Sequence, residues 1–187
     1  MKSWAEKGGG LKELMNELER WANFYLLTSA AAATLIGLMF VVITLAAERR
    51  VEGGTAKIGL YLTPTIVYFG SVVGVAALLT FPNHSRFTAT LCICLAGVVG
   101  LVYSGTSLIG GGDKKSFEER HDLIFYAIVP FVAYGLLVVG AVLLIHHPQR
   151  GLTFVAVGML ALLTLGIRNS WAIAIDVSTR PERQNSK

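Results

Sequence analysis

The residues able to do chemistry in this chain lie inside long apolar runs. They are Thr63, Thr65 and Tyr68 in the second run, and Tyr103, Ser104, Thr106 and Ser107 late in the third. Tyr126 and Pro130 come early in the fourth, and Arg168, Asn169, Trp171 and Asp176 late in the fifth. Hydroxyls, phenols and an amide can hold a solute by hydrogen bonds. The Arg168 guanidinium can hold an anion, a carboxylate or a headgroup, or it can snorkel to the surface as an anchor. Trp171, three residues on, is placed to stack on it. Counted along helices of alternating direction, these residues share one half of the membrane depth. Polar groups in hydrocarbon are costly unless paired or wetted. The pattern predicts one polar vestibule, open to one face and closed by an apolar plug of Val, Leu, Ile, Ala and Phe.

Five apolar runs must position these residues, at 24–47, 58–81, 87–110, 123–145 and 152–177. A bilayer core of about 30 Å takes about 20 residues of helix, and each run is that long. The fold expected is an all-α polytopic membrane bundle of five transmembrane helices, preceded by an amphipathic helix. Residues 1–22 form the tail and amphipathic helix, 23–177 the membrane domain, and 178–187 a polar tail. Leu11, Leu14, Met15, Leu18, Trp21 and Phe24 recur at helical spacing before the first span. Gly8-Gly9-Gly10 reads as a flexible break ahead of them.

Composition agrees. Hydrophobic residues make up 53% and charged residues 15%, and the mean hydropathy is +0.60. A soluble domain carries about 25% charged residues. Of 16 Lys and Arg, only Arg168 falls inside a run. The net charge of +4 therefore reads as membrane-surface bias; no clustered basic face for nucleic acid is present. The first run is too long for a signal-peptide h-region, and Glu6, Glu13, Glu17 and Glu19 precede it.

Small residues recur every four positions: Ser29, Ala33 and Gly37; Gly70 and Gly74; Ala96, Gly100 and Ser104; Gly166, Ser170 and Ala174. Such stripes let backbones approach closely, within the chain or between copies. Pro64 and Pro130 each remove a backbone donor, which predicts a kink or a wetted cavity.

With five spans, the face of the N-terminus holds six cations and the opposite face nine. Positive charge favours the cytoplasm, so the C-terminus is expected there, in a bacterial inner membrane.

No metal or cofactor site is expected. His146 and His147 are adjacent, and His84 and His121 are connector residues. Cys92 and Cys94 lie two apart, on different helix faces, and read as packing residues. No phosphate loop, nucleophile elbow or intramembrane Lys occurs. General acid–base work needs a His or carboxylate at depth, and Asp176 is the only carboxylate inside a run. The chain is read as no enzyme.

Leu62-Thr63-Pro64-Thr65-Ile66-Val67-Tyr68-Phe69-Gly70 and Gly166-Ile167-Arg168-Asn169-Ser170-Trp171 resemble a group of small bacterial multi-pass membrane proteins. Those carry Thr-Pro-Thr-Val-Val-His-Phe-Gly-like and Gly-Ile-His-Asn-Ala-Trp-Asp-like stretches. The likeness covers roughly residues 60–176. Tyr68 and Arg168 stand where the pattern has His, and Ala172 where it has Asp. The resemblance implies a multi-pass fold and brings no activity with it.

Two functions fit these observations. One is a small oligomeric channel or small-solute transporter. The other is a non-catalytic accessory, assembly or regulatory subunit of a membrane complex. The partners expected are the lipid bilayer and a second copy or another membrane subunit.

Overall fold

The computed structural model describes residues 2–48, 54–81, 85–110 and 128–179, with side chains from residue 19 onward except at some helix ends. Five helices make up the described residues: α1 (Lys2–Glu48), α2 (Gly54–Thr80), α3 (Arg86–Gly110), α4 (Val129–His146) and α5 (Pro148–Thr179). Each contains a stretch long and apolar enough to cross a membrane. The chain is a helical polytopic membrane protein.

The amphipathic helix and the first span are one rod. α1 is 47 residues long and runs through Gly8-Gly9-Gly10 without interruption, so the expected break is absent. Each Gly costs a helix only about 1 kcal/mol. Good helix formers on both sides, Ala5-Glu6-Lys7 and Leu11-Lys12-Glu13-Leu14, offset that cost.

α5 is the centre of the bundle, packed on α4, α2 and α1; α3 rests mainly on α4 and only lightly on α2. α1 is the least buried span and α5 the most. The α5 inner face shows why: Leu152, Val155, Met159, Leu162, Leu165 and Ile173 are buried, while Val157, Leu160, Ile167 and Ile175 face out. Both faces are apolar because the outer one meets lipid tails.

α4 and α5 form a tight hairpin. His147 is the sole residue between them, its N–H bonded to the Leu143 carbonyl at 2.7 Å. Pro148 then opens α5, where its missing N–H breaks no helical bond. Three glycines let the two backbones meet. A Cβ on Gly151 would lie 2.7 Å from the Leu144 nitrogen. One on Gly140 would lie 2.8 Å from the Val155 nitrogen, and one on Gly158 2.9 Å from the Ala133 carbonyl oxygen. Pro130 lies in the first turn of α4 and is buried. Ile128 before it is also helical in its backbone angles. Pro64 is inside α2.

Candidate functional site

The buried polar groups are placed by two helix crossings. At the first, Phe69 of α2 lies against Gly166 of α5, whose absent Cβ would sit 2.3 Å from the ring. Thr65 precedes Phe69 by one turn and Asn169 follows Gly166 by about one turn. The two helices are antiparallel, so both lie at the same level, and both are buried, Asn169 to 2% exposure. At the second crossing, the Tyr134 ring of α4 fills the notch at Gly100 of α3. A Cβ on Gly100 would fall 2.1 Å from that ring. Ser104 follows Gly100 by one turn and is 2% exposed.

Tyr134 also joins α2. Its ring centroid is 6.4 Å from that of Tyr68, and its hydroxyl is 3.0 Å from Ser71 Oγ. Ser71 Oγ lies 2.7 Å from the Val67 carbonyl. The one serine proton goes to that carbonyl, so Tyr134 donates and Ser71 accepts. The result is a short hydrogen-bonded chain across the interior, from α4 to α2.

Most span hydroxyls satisfy themselves on their own helix. Thr28, Thr34, Ser71, Thr80, Thr153 and Ser170 each donate to the carbonyl four residues back. This is the usual refuge of Ser and Thr in a helix. Ser104 Oγ does not: it is buried and has no partner, and among the described residues only Thr90 Oγ1 shares that state. An orphaned buried hydroxyl costs about 1–3 kcal/mol. A polar group kept at that cost is a candidate ligand contact.

Of the residues expected at the vestibule, Thr65, Tyr68, Ser104 and Asn169 are buried in the bundle and Tyr103 is half-buried. Thr63, Arg168 and Trp171 are exposed, Trp171 to 69%. Of the two readings of Arg168, vestibule lining and surface anchor, its exposure favours the anchor. Arg168 is on the outer face of α5 beside Ile167 and Trp171, and it is not without a partner. The physical reason is charge: the buried polar groups described are hydroxyls and an amide, and none can balance a cation. On the outer face the long stem can carry the guanidinium toward headgroups. Tyr126 and the side chain of Asp176 lie outside the described residues.

The packing stripes divide in the same way. Gly100 and Gly166 are in tight contact; Ser29, Ala96 and Ser170 are half-buried. Ala33, Gly37, Gly70 and Gly74 are exposed, and a Cβ on any of those three glycines would meet nothing within 4 Å. Among the described residues, nothing packs over these three glycines.

Sequence reasoning missed Tyr134, Ser71 and the α4–α5 glycines. Gly151 and Gly158 are seven apart, a packing repeat as regular as the four-residue one, and the His147-Pro148 turn marks an adjacent antiparallel partner. It also took the opposite half for almost wholly apolar and named no polar contact in it. There the buried Tyr25 hydroxyl donates to the Leu152 carbonyl at 3.0 Å, tying α1 to the start of α5.

No family model matches the chain. Neither the curated proteins nor the solved structures contain a match.

Proposed function

We propose that the protein is a small membrane channel or small-solute transporter. Its polar half receives an uncharged, hydrogen-bonding solute from the more basic face. The observation that carries this reading is the buried, partnerless Ser104 hydroxyl. It lies one turn from the Tyr134 notch, in the half of the bundle that also holds Thr65, Tyr68 and Asn169. A bundle that only needed to be stable gains nothing from that hydroxyl. Among the described residues the buried polar side chains carry no formal charge, which favours a neutral solute, since an ion would lose hydration with no opposite charge there to replace it.

The test is water access. Ser104→Cys, in a Cys92→Ala, Cys94→Ala background, is placed in sealed vesicles with a small hydrophilic thiol reagent. Labelling from one face, much faster than at the dry core position Leu137→Cys, is expected. Equal, slow labelling at both positions sinks the reading.

A second reading, an accessory subunit, is favoured by one observation. The outward glycines of α2 leave open space at Gly70 and Gly74, where a helix of another protein can approach closely. Purification from native membranes with a stoichiometric partner, lost in Gly74→Leu, supports that reading; a lone protein that passes solute supports the first.

A further inference from the structure

The inner face of α3 reads Thr90, Ile93, Gly97, Gly100, Ser104, and all five are buried. The spacing alternates three and four, which keeps them on one line. That line holds both of the partnerless buried hydroxyls among the described residues, one toward each end. They are about 21 Å apart along the axis, at 1.5 Å per residue. Between them are two glycines. A Cβ on Gly97 would lie 2.6 Å from a Val138 methyl, and one on Gly100 would enter the Tyr134 ring. The line is thus a filled groove with a hydrogen-bonding group at each end; the Tyr134 ring crosses it one turn from Ser104, and a Val138 methyl sits at Gly97 on the way to Thr90. On one side the groove is walled by α2, on which α3 packs only lightly. The one side-chain bond described from the ring to that wall runs from the Tyr134 hydroxyl to Ser71.

We propose that the solute's route follows this α3 groove, with Ser104 and Thr90 as its two hydrogen-bonding stations and Tyr134 as the gate, held shut by Ser71. The proposal rests on the transport reading and adds the path, the exit station and the barrier. Each station offers one O–H donor and two lone pairs. That suits a small polyol or amide, which presents both donors and acceptors. Thr90 is 8% exposed, so a solute leaving Ser104 passes the ring and meets a second hydroxyl before the far end of α3. The glycines matter to the gate because the ring can lie flat in the notch only where no Cβ stands. Release of the hydroxyl from Ser71 lets the ring rotate out.

The experiment uses the full chain in liposomes, with glycerol as probe. Entry is followed by light scattering after a glycerol jump, and a sodium chloride jump is the charged control. Tyr134→Phe keeps the ring in the notch and removes only the bond; Ser71→Ala removes the same bond from the other side. Each should raise glycerol flux by about two- to tenfold, the range one hydrogen bond is worth. The double variant should rise no further than either single one, because one bond is lost in all three. Thr90→Ala and Ser104→Ala should each lower the flux. Wild-type flux in both latch variants, or effects that multiply in the double variant, overturns the gate. Glycerol flux no higher than in protein-free liposomes for every variant overturns the route as a whole. Ser104→Cys labelling in those same liposomes then decides separately whether the polar vestibule survives. Melting curves of the Phe and Ala variants establish that each is folded.

Discussion

α4 takes part in two crossings that use glycine for opposite ends. Against α5, glycines on both helices bring backbone to backbone: Gly140 and Gly158 each face the neighbouring main chain, and Gly151 faces Leu144. Nothing polar is needed, and the side chains around them, Leu137, Leu144, Leu152 and Val155, are fully buried or nearly so. Against α3, the glycines admit side chains: Gly100 takes the Tyr134 ring and Gly97 a Val138 methyl. The first crossing can only be closed. The second holds a fully buried ring, a hydrogen bond to a third helix and an orphaned hydroxyl one turn away. In a membrane, where apolar surface alone drives little association, the first arrangement supplies rigidity and the second leaves room for change.

The largest effect is expected at the rigid crossing. Gly151→Ala puts a methyl 2.7 Å from the Leu144 nitrogen and 2.9 Å from the Gly140 carbonyl. Both are backbone atoms, so neither can swing away; the helices must part. Overpacking of this kind costs roughly 1–3 kcal/mol and sometimes more. Thermal melting in detergent should show a clear loss, and an unchanged midpoint would mean the hairpin is not backbone-tight.

Gly100→Ala should cost less, although its built Cβ comes closer to its neighbour. The obstacle is a side chain, the Tyr134 ring, and not backbone. The substitution should therefore shift function more than stability, holding the ring out of the notch. Combined with Tyr134→Ala, its cost should largely vanish, a coupling that contacting residues show and distant ones do not. Additive losses in the double variant would separate the two residues and remove the notch.

Ser104→Ala should act in the other direction. Deleting a buried hydroxyl with no partner removes its desolvation cost, so melting should hold steady or rise, by up to about 1–3 kcal/mol. A fall of similar size would mean that the hydroxyl has a partner within the bundle. The site would then be structural.

Depth and rotation explain what the sequence does and does not disclose. Depth is legible because each residue advances the helix by about 1.5 Å. Counting therefore puts Thr65, Tyr68, Ser104 and Asn169 in one half of the bundle before any helix is packed. Rotation is not. In water a polar outer face reveals the inner one, but here Val157, Leu160 and Ile167 face out with the same chemistry as the core. Arg168 and Asn169 are neighbours in sequence and nearly equal in depth, yet about 100° apart around the helix, so one is exposed and the other buried. For the same reason, the α2 stripe left open whether its partner lies within the chain or outside it. Four-residue spacing marks a face without saying what lies against it. Tyr134 escaped notice because nothing in Val132-Ala133-Tyr134-Gly135 points to a serine on another helix.

The smallest effect within one chain is expected at Gly70 and Gly74, and it tests the rotation argument directly. Tyr68, Phe69, Val72, Val75, Ala76 and Leu79 turn inward on α2, which leaves 70 and 74 on the opposite side. A Cβ there meets open space. Gly70→Leu and Gly74→Leu should therefore leave the melting of an isolated chain near that of the wild type. Replacing Gly in a helix even favours it by up to about 1 kcal/mol through backbone entropy. Size measurements in the same detergent separate two causes if stability does fall. A loss that comes with a smaller particle puts a second molecule on this face, and the loss then belongs to that interface. A loss at constant size would mean that α2 is turned the other way. The Phe69–Gly166 crossing, and with it the level pairing of Thr65 with Asn169, would go as well.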